Sequence, residues 1–164
     1  MVDFMLAKDY EKGMKAPRND ENCLPPVGWL CSEKYDGYRA RFMNDERGFL
    51  SRAQKPFNAP EWFITAMPPG VNLDGELWVG RDNFQAMGTV RKKIPVPEEW
   101  VNVKYVVYDA PDTKGTFEER HKFLKDLMKK NIGRWEIVRK KLGDPYSSIK
   151  CPVVIARQVI VRSD

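Results

Sequence analysis

The stretch "SEKYDGYRA", residues 32–40, places two cations, Lys34 and Arg39, on the arms that flank Asp36-Gly37. Asp-Gly between short runs is a strong local signal for a two-residue β-turn, because both residues tolerate the positive backbone angles that turn requires. The spacing predicts that the chain folds back here, with Tyr35 opposite Tyr38 and Lys34 opposite Arg39. Facing residues then have Cβ atoms roughly 5 Å apart, and like charges so placed cost stability. A purely structural hairpin would carry Glu opposite Arg. Either an anion sits between the two cations, or the pairing is looser than this drawing.

Outward from that corner the pattern is mostly strand. Asn19 to Gly28 reads as a loop, with two prolines and several turn formers, and delivers the chain into a strand beginning near Trp29. Arms at 29–35 and 38–44, the run "GFLSRA" at 48–53 and "VNLDGELWV" at 71–79 have the short, turn-punctuated look of an antiparallel sheet. Between them, "PEWFITAM" predicts a short helix with Pro60 at its first position, and "DNFQAMGTVRKK" another capped by Asp82. The apolar run Tyr105 to Tyr108 within "VNVKYVVYD" is expected of a central strand covered on both faces.

Thr116 to Glu119 forms a capping box that opens the longest helix, with Phe117, Leu124, Leu127 and Met128 on its apolar side. His121, the only histidine, lies beside that stripe and has no second ligand at metal-binding spacing, so a packing role is expected. A second helical piece, "RWEIVRKKL", and the turn "GDPYSS" lead to a last strand, "CPVVIARQVIV". Ser163-Asp164 then looks like the cap of a further helix, which predicts a fragment of a longer protein.

The bulk composition sets the class. The chain has 164 residues, 42% of them hydrophobic, with five Trp, six Tyr and eight Phe, which suffices for the core of one ordinary domain. A net charge of +5 suits a phosphate-rich partner but equally a solvated surface. Cys23, Cys31 and Cys151 are odd in number and contain no C-x-x-C pair, so neither a disulfide framework nor a zinc site is indicated. With an acid at position 3 and no apolar run at the start, the expected setting is intracellular, without membrane insertion.

Within this frame "EKYDGYR" resembles the K-x-D-G-x-R signature of the covalent nucleotidyltransferases, the superfamily of ATP-dependent DNA ligases, RNA ligases and messenger-RNA capping enzymes. Four further stretches resemble ligase elements in the same order: "LSRAQKPFNAPEWF", "LDGELWVGRDNFQAM", "VRKK" and "VKYVVYDAPD". Together they cover nearly the whole chain and look most like the minimal DNA ligases of some bacteria and large viruses. The resemblance implies an α+β nucleotidyltransferase fold, with mixed, mainly antiparallel sheets and flanking helices. Residues 1–164 would be the amino-terminal part of an adenylation domain, without the OB-fold domain that follows in the family.

In the family the signature lysine attacks the α-phosphate of ATP, releases pyrophosphate and holds AMP as a phosphoramidate; Lys34 is the match. An ordinary lysine is almost wholly protonated at neutral pH and cannot attack, and a nearby cation such as Arg39 favours the free amine. On this reading the anion between the two cations is phosphate. Arg39 resembles the residue that contacts ribose, and Arg52 the one that reaches ribose and the 5′-phosphate of nicked DNA, tasks suited to a guanidinium fork. Glu76 matches the carboxylate that binds ribose hydroxyls or helps hold Mg2+ or Mn2+. Asp74 and Trp78 share its strand face, Asp74 as a support for the turn.

Tyr108 aligns with the aromatic that stacks under adenine, or else is a core tyrosine; Ser32 and Glu33 sit where relatives contact the adenine edge. Many ligases carry an acid where this chain has Ser32. The run Arg91-Lys92-Lys93, with Lys55 and Arg41, either neutralises DNA phosphates or is a solvated surface. The family's later glutamate-glycine and lysine-x-lysine motifs do not occur before Asp164, so this chain alone is expected to adenylate weakly. The implied partners are nicked double-stranded DNA and the rest of the ligase, with the protein a monomer. A capping guanylyltransferase or RNA ligase, and a non-catalytic nucleic-acid-binding module, are the competing readings.

Overall fold

The computed structural model describes residues 27–162. Most of the expected 19–28 loop, Cys23 and the cap expected at Ser163-Asp164 lie outside them. The described residues divide into two units: 34–156, and a smaller one made of 27–33 with 157–162. In chain order the strands are β1 (Leu30–Ser32), β2 (Tyr38–Met43), β3 (Gly48–Ser51), β4 (Pro56–Phe57), β5 (Leu73–Trp78), β6 (Lys104–Asp109), β7 (Val153–Ile155) and β8 (Gln158–Ile160). The helices are α1 (Glu61–Thr65) and α2 (Phe117–Leu142), with 3-10 turns at Phe84–Arg91, Pro97–Asn102 and Tyr146–Ser148.

In the larger unit six strands form one mixed sheet in the order β4-β3-β2-β5-β6-β7. Every neighbouring pair is antiparallel except β6 with β7. The strands β2, β5 and β6 therefore occupy the middle. Alternation sends Ala40, Phe42, Leu73, Leu77, Tyr105 and Val107 into a core shared with Phe49, Phe63, Trp100, Leu124 and Trp135. Gly75 is required in this core: a Cβ there would lie 2.3 Å from the Val106 carbonyl oxygen and 2.9 Å from the Tyr105 ring. The Tyr105 hydroxyl sits 3.0 Å from the carbonyl oxygens of both Ala40 and Leu73, so its burial leaves no polar atom unpaired.

Thr116 caps α2 as expected: its hydroxyl accepts from the Glu119 N–H, and the Glu119 carboxylate accepts from the Thr116 N–H. The two helical pieces read from the sequence are one helix of 26 residues. Gly133 does not break it, because α2 packs on β6 and β7 and buries Leu124, Met128, Asn131 and Trp135 in successive turns. Arg134 fastens the same stretch by donating to the Thr65 and Met67 carbonyls at 2.6 Å. His121 is buried and stacks on Phe117 at 5.9 Å, the packing role expected of it.

Several local expectations are corrected. Pro60 is the N-cap of α1 and not its first residue. The segment after Asp82 is a 3-10 run, and Asp82 itself takes a positive φ of 54° ahead of Asn83 instead of capping. The last apolar stretch is two strands: β7 joins the large sheet, whereas β8 pairs with β1 in the smaller unit, Leu30 opposite Ile160 and Ser32 opposite Gln158.

The predicted Asp36-Gly37 hairpin does not form. Both edges of β2 are already taken, by β3 and β5, so no edge is left for the 29–35 arm. Gly37 is needed for a different reason: a Cβ on it would lie 2.1 Å from the Leu77 carbonyl oxygen. The glycine lets the chain run hard against β5, and its φ is not positive.

Candidate functional site

The face of β2, β5 and β6 opposite the core is charged. Its origin is complementary alternation: Arg39 and Arg41 of β2 stand against Glu76 and Asp74 of β5, Arg39 paired with Glu76 and Arg41 with Asp74. The guanidinium of Arg39 reaches diagonally, donating Nε to Asp74 Oδ1 at 2.8 Å and Nη2 to Oδ2 at 2.6 Å. That fork, in a part-buried setting, raises the Arg39 pKa, the Asp74 hydrogen bond outweighing burial. Asp74 is thus the clamp of Arg39 and not a support for a turn.

Tyr108 joins this face through an irregularity. Asp74 pairs with Asp109 but Gly75 pairs with Val107, so Tyr108 is the extra residue of a bulge between β5 and β6. Such bulges re-aim a side chain. The Tyr108 hydroxyl donates to Glu76 Oε2 at 3.2 Å, and the Arg39 guanidinium carbon lies 5.5 Å from the centre of its ring. Burial pushes the Tyr108 pKa up, aided by the adjacent Glu76 charge.

Glu76 is 8% exposed. Its burial raises its pKa, against the hydrogen bonds from the Tyr108 hydroxyl and the Gly37 N–H and the charges of Arg39 and Lys34. Lys34, an exposed side chain in a stretch without strand pairing, is therefore close enough to Glu76 for its charge to be felt there. Next to it, the ring of Tyr35 meets Trp78 edge-on at 5.2 Å and Tyr108 at 6.3 Å. Arg39, Asp74, Glu76 and Tyr108 thus form one network, a clamped guanidinium beside a buried carboxylate, which the ring of Tyr35, next in sequence to Lys34, adjoins through Tyr108.

The network alters the meaning of the two cations. They do not face each other across a turn; Arg39 is held by Asp74, and Lys34 lies in a stretch without strand pairing. Other expected site residues are placed elsewhere. Arg52 and Lys55 are exposed in the turn joining β3 to β4. Arg91, Lys92 and Lys93 are exposed, with Lys92 engaged by Glu99 at 2.6 Å. Arg41 is 7% exposed and pairs at 2.8 Å with Asp112, whose own side chain is largely exposed. Ser32 and Glu33 are exposed and belong to the smaller unit.

The sequence reading missed Tyr35 and the Asp74 clamp. The signal was present, because "RAR" on one strand and "DGE" on its neighbour match charge for charge once they are paired. Among the described residues no group of three or more His, Cys, Asp or Glu side chains is arranged to hold a metal. Glu76 alone still fits Mg2+, which keeps most of its waters and commonly takes one or two carboxylates beside substrate phosphates. Among the described residues no helix is long and apolar enough to cross a membrane.

Comparison with known proteins bears on the family and the fold. Residues 5–154 match the model of the ATP dependent DNA ligase domain. A DNA ligase of Haemophilus influenzae (strain Rd) is 36% identical over 99 residues, 60% of this chain and 35% of that protein. A solved structure from a structure-function study of Lig E DNA ligases superposes with a TM-score of 0.69 at 28% identity, covering 99% of this chain and 54% of that one. Chlorella virus DNA ligase-adenylate superposes with a TM-score of 0.55 at 16% identity, covering 90% and 49%, a likeness of fold. The chain thus spans about a third of the curated relative and about half of each structure. With the matched domain running across 150 positions of the sequence, the chain belongs to the ATP-dependent DNA ligase domain family.

Proposed function

We propose that this chain is the amino-terminal part of the adenylation domain of an ATP-dependent DNA ligase, with Lys34 as the acceptor of AMP. The observation that carries the reading is the Glu76 carboxylate held by Tyr108 beside the clamped Arg39 on one sheet face, with the exposed Lys34 three residues before Gly37, whose backbone lies against Glu76 and Leu77. Nζ of Lys34 attacks the α-phosphorus of ATP; an N–P bond forms, the P–O bond to pyrophosphate breaks, and Nζ gives up a proton. AMP then passes to the 5′-phosphate at a DNA nick, which frees the amine. The 3′-hydroxyl attacks that activated phosphate and expels AMP.

The residues divide the work by their chemistry. Glu76, with the Gly37 N–H and the Tyr108 hydroxyl fixing it, accepts hydrogen bonds from ribose hydroxyls. Arg39, clamped by Asp74, contacts the same sugar. The Tyr108 ring is the stacking platform for the base. Arg52 reaches the ribose and later the 5′-phosphate. Lys55, Arg91 and Lys93 are the exposed cations that suit DNA phosphates; Lys92 joins them only by leaving Glu99. A divalent metal held at Glu76 would neutralise charge on the leaving phosphates.

Labelling with ATP and with GTP tests this reading. A Lys34-dependent adduct with ATP is expected. An adduct with GTP alone would make the protein a capping enzyme, and full nick sealing by the Lys34→Ala variant would make the fold a non-catalytic module.

A further inference from the structure

We propose that Trp78 is a positioning residue for Lys34, acting through the ring of Tyr35; the proposal rests on the assignment of Lys34 as the AMP acceptor. Residues 33–37 contribute no strand to either sheet, so the ladder hydrogen bonds that fix β2 and β5 do not fix the reactive lysine. At one end of this stretch Gly37 is pinned against the Leu77 carbonyl. In its middle Tyr35, the immediate neighbour of Lys34, lies edge-on to Trp78 at 5.2 Å with an interplanar angle of 76°. That is a favoured aromatic geometry.

Trp78 is suited to be the fixed partner. It ends β5, where its pairing with Lys104 of β6 holds its backbone, and alternation puts it on the face of Asp74 and Glu76. Neither Trp78 nor Tyr35 belongs to the hydrophobic core, so their contact contributes little to folding compared with the buried rings. Tyr35 also approaches Tyr108 at 6.3 Å, and Tyr108 is tied to Glu76. The three rings thus relate the lysine to the carboxylate beside which the nucleotide would sit. Loss of the Trp78 ring leaves every polar group of the site in place and loosens the backbone that carries the amine. Misplacement of a reacting group by about 1 Å costs on the order of a hundredfold in rate.

The test uses the full-length protein and separates binding from chemistry. Trp78→Leu is expected to slow the single-turnover rate of Lys34 adenylation by at least about tenfold. The dissociation constant for ATP should stay within about twofold, and Trp78→Phe should recover most of the rate. Tyr35→Leu should slow the step similarly, and the double variant should be no slower than the slower single one. An unaltered rate in Trp78→Leu overturns the proposal, as does an equal loss of ATP affinity or additive losses in the double variant. Absence of the adduct on the unaltered protein, or its persistence in Lys34→Ala, instead overturns the assignment of Lys34 itself.

Discussion

The two faces of β2, β5 and β6 are built from alternate residues of the same strands and obey opposite rules. On one face Ala40, Phe42, Leu73, Leu77, Tyr105 and Val107 exclude water and take their stability from packed apolar area. On the other Arg39, Arg41, Asp74, Glu76 and Tyr108 remain polar although most are largely buried, and the stable ones are those with partners. Glu76 is the exception: burial costs it more than its hydrogen bonds and cationic neighbours return, and its pKa rises. The contrast separates what holds the fold from what the fold holds ready.

The comparison can be broken most forcefully on the apolar face. Phe49 is fully buried against Phe42, Phe63 and Tyr105, so Phe49→Ala should destabilise by about 4 kcal/mol, read by chemical denaturation. On the polar face, Asp74→Ala removes the carboxylate that clamps the Arg39 guanidinium and should cost about 3 kcal/mol, together with a weakened affinity for ATP. An Asp74→Ala variant with native stability would show that the clamp is ornamental.

A smaller and pH-dependent effect is expected at Glu76. The native state holds its proton more tightly than the unfolded chain, whose carboxyl ionises near the ordinary 4.5. That preference favours the fold below pH 4.5 and is lost as pH rises through the elevated native value. Glu76→Gln lacks the titration, so its melting temperature relative to the unaltered protein should climb between pH 4.5 and neutrality while nucleotide binding falls. A difference independent of pH would contradict the assigned shift. Least affected should be the exposed Lys92–Glu99 pair: Lys92→Ala should leave the melting temperature within error, because both partners remain largely in water.

The sequence made the alternation legible, and with it most of the strands, the capping box at Thr116 and the candidates Lys34, Arg39, Glu76 and Tyr108. Its failures came where non-local pairing overrides local preference. Asp36-Gly37 has the composition of a tight turn, yet the need of Gly37 to touch β5 and the full edges of β2 decide its conformation. Arg41 reads like Arg39 along the chain; only the third dimension pairs it with Asp112. Tyr108 owes its direction to a bulge, which depends on the register between two strands and leaves no mark in composition.

The central claim is that the amine of Lys34 becomes bonded to AMP. Intact-mass measurement of the full-length protein after incubation with ATP and magnesium, followed by peptide mapping, tests it directly. The account predicts one added AMP, located on Lys34 and absent from Lys34→Ala; an unmodified protein, or AMP carried on any other residue, would contradict it.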